Sequence, residues 1–340
     1  MKTIKLGNTG IETPQNAFGA LPIQRVSTEM AVKLVRRAFE GGMTFFDTAR
    51  AYSDSEEKLG IALEGIRDKV FIATKTMAST PEKFWEDLET SLTLLKTDYI
   101  DIYQFHCVGT CYRPGDGSGM YEAMLEAKAQ GKIRHIGVTA HKIGVAEELA
   151  ESGLYETLQF PFSYLASDRD IALVKACEEK GIGFIAMKGL SGGLLNNSKA
   201  CMAFMSQFEA LPIWGVQREN ELEEWLSFFE NEPAMTEELK AVIDKDRAEL
   251  LGEFCRGCGY CMPCTVGIMI NQGARMSQMV RRAPSSAWVN DFWKAEMLKI
   301  EKCVDCGICK TRCPYELDIP NLLRKNLEDY KNILDGKIKV

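Results

Sequence analysis

Eight of the twelve cysteines in this 340-residue chain lie in two short clusters, and their spacing constrains the fold more than any other feature of the sequence. The clusters span residues 255–264 and 303–313. Structural disulfides are rare in reducing compartments, whereas tightly spaced cysteines are typical of metal ligands. We therefore predict that this part of the chain folds around metal. The other four cysteines, Cys107, Cys111, Cys177 and Cys201, are scattered.

The second cluster, Cys303-x2-Cys306-x2-Cys309-x3-Cys313-Pro314, matches the cysteine run of bacterial ferredoxins, including its terminal proline. Two-residue gaps wrap the backbone into a tight turn that directs three thiolates at one [4Fe-4S] cluster. The fourth cysteine then reaches a different iron.

The first cluster, Cys255-x2-Cys258-x2-Cys261-x2-Cys264, has the same three-cysteine turn but a shorter last gap, with Thr265 where proline is expected. Its fourth ligand is therefore less certain. Structural zinc is the alternative, for which two CxxC pairs are enough. The third cysteine at the same spacing in each motif is surplus to a zinc site and favours two [4Fe-4S] clusters.

The resemblance to two-cluster ferredoxins also implies how the ligands are shared. In those proteins the fourth cysteine of each motif binds the other cluster. By this analogy one cluster takes Cys255, Cys258, Cys261 and Cys313. The other cluster takes Cys303, Cys306, Cys309 and Cys264. Such sharing of ligands would link the two cysteine motifs through both clusters.

Upstream of the cysteines, from about residue 16 to residue 231, short apolar runs alternate with segments of helical period. This rhythm is typical of repeated β-α units that form a parallel sheet. A doubly wound open sheet would share it, but eight such runs favour a (β/α)8 TIM barrel, an α/β fold. The predicted strands cover residues 16–19, 44–47, 70–74, 99–105, 133–138, 157–160, 183–187 and 212–216.

The β-α rhythm ends near residue 231, which predicts three parts of the chain. Residues 1–234 form the barrel, with KLGNTGIETP as a hairpin that plugs its bottom. Residues 235–254 form a linker helix. Residues 255–340 form a small, mainly helical, ferredoxin-like iron-sulfur domain with a C-terminal helix.

Four titratable residues lie at or just after predicted strand ends: Asp47, Tyr52, Lys75 and His106. In a barrel these ends share one rim, where such folds carry their active sites. Tyrosine becomes a useful acid near neutral pH only beside a cation that stabilises its phenolate, and Lys75 would supply that cation. Asp47 would hold the lysine, and His106 would donate a hydrogen bond to a substrate oxygen. Together they predict an apparatus that protonates a carbonyl oxygen as hydride reaches its carbon.

Each of these residues also has a purely structural explanation. Asp47 and Lys75 would form an ion pair near the barrel core, His106 would be a satisfied buried imidazole, and Tyr52 would be a loop aromatic. The coincidence of all four after strands two, three and four favours the catalytic interpretation.

Five segments resemble successive signatures of the aldo/keto reductase family: FFDTARAYSDSEEKLGIAL, KVFIATK, YIDIYQFH, GKIRHIGVTAH and FIAMKGLSGG. The resemblance covers about residues 1–230, and the cysteine motifs that follow resemble the subgroup with a C-terminal ferredoxin-like domain. It implies that Tyr52 is the general acid and that Asp47, Lys75 and His106 complete the family's catalytic tetrad. It also implies NADP(H) as cofactor, bound extended across the barrel rim.

The positions expected to contact this cofactor match the family less well. Gln159 matches the glutamine that holds the nicotinamide carboxamide. Thr139 stands where a serine usually precedes an asparagine, and the next residue here is Ala140. Met187 replaces the tyrosine that stacks on the nicotinamide ring, although methionine also packs on aromatic faces. The resemblance assigns the phosphates to Lys188 and Gly192 at the pyrophosphate and to Arg218 at a 2'-phosphate.

The charge of the chain gives no sign of a polyanionic partner. It carries 41 Lys and Arg and 48 Asp and Glu, a formal net charge of -7, with both signs interspersed. This surface argues against nucleic acid and against an anionic membrane as partner. The sequence shows neither a signal-peptide pattern nor about 18 consecutive apolar residues, so we expect a cytoplasmic protein.

The predicted function is an iron-sulfur oxidoreductase that reduces a carbonyl, or oxidises an alcohol, in a small molecule. Hydride transfer moves two electrons at once, whereas each cluster normally moves one. Three roles for the clusters therefore remain open: structural, serving a redox protein partner, or delivering electrons directly to substrate. The alternative function is an electron-transfer subunit of a larger complex, in which the barrel is a docking platform without nicotinamide chemistry.

Overall fold

The computed structural model describes residues 1–250, 254–282 and 285–339. Its internal contacts divide the chain into two compact units. The first unit comprises Met1–Gly189 and Asn197–Ile243, and the second comprises Leu190–Asn196 and Asp244–Val340. The second unit thus includes a short segment from within the predicted barrel region. The division at residues 234 and 254 remains a prediction.

Eight parallel strands of the first unit close into a barrel, which confirms the predicted (β/α)8 fold. Their bounds lie within two residues of the predicted ones: β3 Ala17–Gly19, β4 Phe45–Asp47, β5 Phe71–Thr76, β6 Ile100–Phe105, β7 Ile133–Thr139, β8 Thr157–Pro161, β9 Gly183–Met187 and β10 Ala210–Gly215. Each strand pairs with the next along the chain, and β10 closes the barrel on β3.

Helices connect these strands, and polar side chains cap the first turn of several of them. Ser27 Oγ accepts a hydrogen bond from the Met30 N–H, and Thr80 Oγ1 accepts one from the Lys83 N–H. The helices are α1 Thr28–Glu40, α2 Ser55–Ala62, α3 Pro81–Leu95, α4 Met120–Ala129, α5 Ile143–Ser152, α6 Asp168–Glu179, α7 Ser198–Met205 and α8 Glu219–Ser227.

An N-terminal hairpin closes the amino-terminal end of the barrel. Its strands, β1 Thr3–Lys5 and β2 Glu12–Pro14, pair antiparallel. Its apolar residues Ile4, Leu6 and Ile11 belong to the cluster that fills the barrel interior. The Asn8 N–H donates to the Gly181 carbonyl, just before β9 begins, so the opposite, carboxyl-terminal rim stays clear of the hairpin.

The second unit is helical and packs around its cysteines. Its helices are α10 Ile270–Gly273, α11 Met276–Arg282, α12 Asp291–Leu298, α13 Ile308–Thr311 and α14 Ile319–Leu334, while α9 Glu237–Leu250 runs from the first unit into the second. Leu323, Leu327 and Tyr330 of α14 lie in the same apolar cluster as Cys255 and Cys313. The C-terminal helix is therefore part of the core that holds the cysteine motifs.

Across the described part of the chain, every helix is too short or too polar to cross a lipid bilayer.

Replacing Gly60 by alanine tests the packing of α2 on α3. A Cβ at this position would collide with the Leu94 carbonyl oxygen, a backbone atom that cannot rotate away. Overpacking costs about 1–3 kcal/mol, so we expect Gly60→Ala to lower the free energy of unfolding by that amount despite the helix propensity of alanine. Urea denaturation measures this difference.

Gly144→Ala is the matched control, because Gly144 also lies in a helix but a Cβ there meets only Arg169 Nη2, at 3.9 Å. We expect this variant to be unchanged or stabilised by up to about 1 kcal/mol. Equal destabilisation of the two variants would contradict the packing argument.

Candidate functional site

The four predicted catalytic residues meet at the carboxyl-terminal rim of the barrel. Asp47 is the last residue of β4, Lys75 lies next to the end of β5, and His106 directly follows β6. Tyr52 lies in the loop after β4, where its N–H donates to the Ala49 carbonyl. Neighbouring parallel strands end on the same rim, which brings the four side chains together.

Lys75 and Asp47 form a buried ion pair. Lys75 Nζ donates to both carboxylate oxygens of Asp47 at 2.7 Å and to the Thr48 carbonyl at 2.6 Å. Burial raises the pKa of Asp47 and lowers the pKa of Lys75, because desolvation disfavours either charge, and each charge opposes the shift of its partner. The three hydrogen bonds hold the ammonium group in one place.

Tyr52 lies beside both the lysine and the histidine. Its ring centroid is 5.4 Å from Lys75 Nζ and 5.8 Å from the His106 ring centroid, with the two rings edge to face. Burial raises the pKa of Tyr52, and the negative charge of Asp47 raises it further. The sequence predicted a pKa lowered by Lys75; the direction differs because Asp47 offsets that cation and burial penalises the phenolate. Tyr52 therefore stays protonated and able to donate.

His106 is a neutral hydrogen-bond donor in this environment. Burial lowers the pKa of His106 to about 3, and the positive charges of Lys75 and Lys188 also lower it. Near pH 7 the imidazole therefore carries one ring N–H. It can orient an oxygen atom by a hydrogen bond, while Tyr52 is the better source of a proton.

Gln104 is a site residue that the sequence analysis missed. It is fully buried in β6, and its Nε2 donates to Gln159 Oε1 at 3.1 Å. Hydrogen bonds from both glutamines lower the pKa of Asp47 against the effect of burial. An amide two positions before His106 in a buried strand was the available signal. The amide of Gln159, predicted to hold a nicotinamide carboxamide, is therefore already engaged inside the barrel.

Four other predicted cofactor contacts lie at or beside strand ends of the same barrel. Thr139 ends β7, and its Oγ1 accepts a backbone N–H at 2.6 Å. Met187 ends β9, and Lys188 follows it with a left-handed φ of 60°. Arg218 precedes α8, and its largely exposed guanidinium lies 3.6 Å from a Glu221 carboxylate oxygen.

Gly192, the remaining predicted contact, lies in the segment that belongs to the second unit. Its carbonyl oxygen accepts a hydrogen bond from Arg275 Nη1 at 2.5 Å. The Gly192 carbonyl is therefore engaged within the second unit.

One cavity of the second unit is lined by five of the predicted metal ligands. They are Cys261, Cys264, Cys303, Cys306 and Cys309. Apolar side chains such as Val266 and Leu323 complete the wall, and Thr265 Oγ1 lies 3.9 Å from Cys306 Sγ. Thiols on an apolar wall fit an iron-sulfur cluster. Four of the five form one set that the ferredoxin resemblance implies, whereas that resemblance assigns Cys261 to the other cluster.

The four predicted ligands of the other set also influence one another. Burial raises the pKa of Cys261 to about 12, and the charges of Cys255, Cys258 and Cys313 raise it further. Crowded, desolvated thiols bind as thiolates only when a metal compensates their charge, which an iron-sulfur core does. Within residues 1–250, 254–282 and 285–339, no three His, Cys, Asp or Glu side chains converge on a single ion.

Comparison with known families identifies both parts of the chain. A model of the aldo/keto reductase family matches residues 15–209, and a model of a 4Fe-4S dicluster domain matches residues 254–318.

Curated relatives match the barrel region. The chain is 28% identical over 214 residues to Aldo-keto reductase YhdN of Bacillus subtilis, a match that covers 57% of this chain and 64% of that protein. It is 30% identical over 209 residues to L-galactose dehydrogenase of Arabidopsis thaliana, covering 56% of this chain and 66% of that protein. For Probable aldo-keto reductase 1 of Glycine max the identity is 27%, and the match spans 60% of that relative. The chain thus spans less than two thirds of the length of these relatives.

Solved structures share the barrel fold. An aldo-keto reductase of Bacillus halodurans in its holo form superimposes with a TM-score of 0.64 at 21% identity, covering 72% of this chain and 96% of that one. An aldo-keto reductase of Klebsiella pneumoniae in complex with NADPH gives a TM-score of 0.59 at 21% identity, covering 72% and 95%.

Replacing Lys75 by methionine tests the buried ion pair. The variant leaves the Asp47 carboxylate buried without its main partner, and loss of one partner of a buried pair costs about 3–5 kcal/mol. We expect urea denaturation to show a loss of that size. The double variant Asp47→Asn, Lys75→Met removes both charges and should recover part of the stability. A double variant no more stable than Lys75→Met would contradict the idea that an uncompensated charge causes the loss.

Proposed function

The chain belongs to the aldo/keto reductase family and carries a C-terminal 4Fe-4S dicluster domain, and from this premise we propose that it is an NAD(P)H-dependent oxidoreductase acting on a small carbonyl compound or the corresponding alcohol. The observation that carries the proposal is the meeting of Tyr52, His106 and the Lys75–Asp47 pair on one rim of the barrel. In this role Tyr52 is the general acid, or the general base for alcohol oxidation.

The raised pKa keeps the Tyr52 proton in place until a substrate oxygen becomes basic enough to take it. His106 donates a ring N–H to the same oxygen and orients it. As the proton leaves, the Lys75 ammonium, 5.4 Å from the ring centroid, stabilises the phenolate. A bound NADP(H) supplies or accepts the hydride.

Four residues are proposed to hold the nicotinamide: Thr139, Gln159, Met187 and Lys188. They lie at or near the ends of neighbouring strands on one rim of the barrel. For Gln159 this role would require breaking existing hydrogen bonds, because its amide already bonds Gln104 and Asp47. Arg218 is exposed enough to meet a 2'-phosphate, although it would exchange Glu221 for that partner. Gly192 has the least support, since it belongs to the second unit and not to the barrel unit.

We further propose that the second unit binds two [4Fe-4S] clusters. The first set of ligands is Cys255, Cys258, Cys261 and Cys313, and the second set is Cys264, Cys303, Cys306 and Cys309. The dicluster family match and the cavity lined by the second set support this assignment.

The second set offers an edge for single-electron exchange with a redox protein partner. Cys306 is exposed, and the neighbouring Val304 side chain is 64% exposed. Lys302 and Lys310 are also exposed on either side of this edge. Exposed carboxylates of Glu301 and Asp305 lie beside these lysines, so the edge carries charges of both signs around the exposed ligand.

Tyr52→Phe tests the proposed proton donor. It removes the hydroxyl and keeps the ring, so turnover of NADPH-dependent carbonyl reduction should fall by about 10²–10⁴-fold, with NADPH affinity unchanged. Anaerobic assays of NADPH absorbance and a binding titration measure the two quantities. Tyr99→Phe is the control, because Tyr99 precedes β6 at the opposite end of the barrel.

Retained turnover in Tyr52→Phe would refute the acid role. A wild-type protein that binds its clusters but not NADPH would instead favour the electron-transfer subunit without nicotinamide chemistry.

Single cysteine variants test the two ligand sets. Cys258→Ala and Cys306→Ala each remove one ligand from a different set, so each should lose about half of the bound iron and part of the cluster absorbance. Cys177→Ala is the control, because Cys177 is buried in α6 of the barrel. Iron analysis and EPR spectra measure the effect, and full iron content in either ligand variant would contradict the assignment.

A further inference from the structure

The segment Leu190–Asn196 follows β9 in the chain but is packed within the iron-sulfur unit. Arg275 Nη1 donates to the Gly192 carbonyl at 2.5 Å, and Arg282 Nη1 donates to the Leu194 carbonyl at 3.1 Å. Asn196 Nδ2 donates in turn to the Arg282 carbonyl at 3.3 Å. Two arginines of the second unit thus hold both halves of the segment.

Gly192 lets this segment approach the first cysteine motif closely. A Cβ at Gly192 would collide with the Arg256 carbonyl oxygen and lie 3.0 Å from Arg275 Nη1. The next residue, Gly193, also has a positive φ, but a Cβ there would meet nothing within 4 Å. Position 192 therefore requires glycine for two reasons: its positive φ, and its close contact with the backbone of the motif.

Arg275 also packs against the first cysteine motif, at Gly257. Its side chain is buried, and Nη2 donates to Gln272 Oε1 at 3.0 Å. A Cβ on Gly257 would lie 2.7 Å from Arg275 Cζ, so the guanidinium packs directly on the backbone at Gly257. The Gly257 N–H donates to Cys255 Sγ at 3.3 Å. Arg275 therefore lies against the loop that carries two proposed ligands.

A guanidinium in this place has a definite electrostatic effect on a cluster. It stays charged at any physiological pH. A [4Fe-4S] cluster with four thiolate ligands becomes more negative on reduction, and a nearby positive charge favours that reduced form. Burial limits the screening by solvent and salt.

We propose that Arg275 is a positioning residue that raises the reduction potential of the cluster held by Cys255, Cys258, Cys261 and Cys313, and that it couples this cluster to the segment Leu190–Asn196 through Gly192. The inference rests on the proposed ligand set. It gives Gly192 a role in the surroundings of a cluster, different from the pyrophosphate contact that the sequence suggested.

An anaerobic redox titration of the full chain, followed by EPR, tests the charge effect. Arg275→Gln should shift the potential of one cluster to a more negative value and leave the other unchanged. Arg275→Lys keeps the charge and should restore most of the shift. Arg281→Gln is the matched control, because Arg281 lies on the helix that follows and pairs with Asp329 at the surface. It should leave both potentials unchanged.

A glycine pair tests the contact with the segment. Gly192→Ala and Gly193→Ala impose the same left-handed strain, but only the first clashes with the cysteine motif. Gly192→Ala should change the EPR signal and potential of the same cluster that responds to Arg275→Gln, whereas Gly193→Ala should not. If Arg275→Gln does not fold, this pair still tests whether the segment is coupled to the cluster.

If Arg275→Gln kept its iron and both reduction potentials were unchanged, the inference would be overturned. The proposed assignment of two clusters would not be affected. Equal effects of the two glycine variants would overturn the role of Gly192. A wild-type protein with only one cluster signal would refute the ligand sets, and this inference with them.

Discussion

The chemistry of the barrel rim depends on the ion pair between Lys75 and Asp47. Asp47 pairs with Ala73 in the strand register, so Lys75, two positions further along β5, projects to the same side and reaches back to the carboxylate. Burying two charges costs several kcal/mol per ion, which a good geometry can offset. Here the offset comes from paired 2.7 Å contacts, the Thr48 carbonyl, and the amides of Gln104 and Gln159. The result is a cation with a fixed position beneath Tyr52.

The barrel and its tetrad were predictable because both follow from local pattern plus one topological rule. Alternating β and α segments predict parallel strands, and parallel strands place their carboxyl ends on one rim. Asp47, Lys75 and His106 then meet without any knowledge of side-chain packing. The raised pKa of Tyr52 could not be predicted from the sequence, because it depends on how burial and the charges of Lys75 and Asp47 combine in three dimensions. The role of Gln104 was also hidden, since it depends on a cross-barrel contact with Gln159.

The segment Leu190–Asn196 shows a second limit of sequence reasoning. A glycine-rich turn after a strand suits a phosphate, which needs close access to backbone, and it equally suits the approach of another backbone. The sequence contains no local signal that separates these uses. The decisive partner, Arg275, lies 83 residues further along the chain. The cysteine motifs differ in this respect, because most ligands within each motif are close in sequence; the crossing of the fourth ligands remains a prediction from the ferredoxin resemblance.

The surroundings of the two proposed clusters differ in a way that bears on electron flow. Cys255, Cys261 and Cys313 are buried and Arg275 packs on their loop, whereas Cys306 of the other set is exposed beside Val304. In our proposal, the buried cation stabilises an added electron at the first cluster, and the exposure of Cys306 makes the second cluster the point of exchange with a partner. Two clusters with different potentials hold an electron pair as two separate single electrons. A hydride, however, carries its two electrons together, so any link to the barrel chemistry requires a carrier that can accept both and release them one at a time.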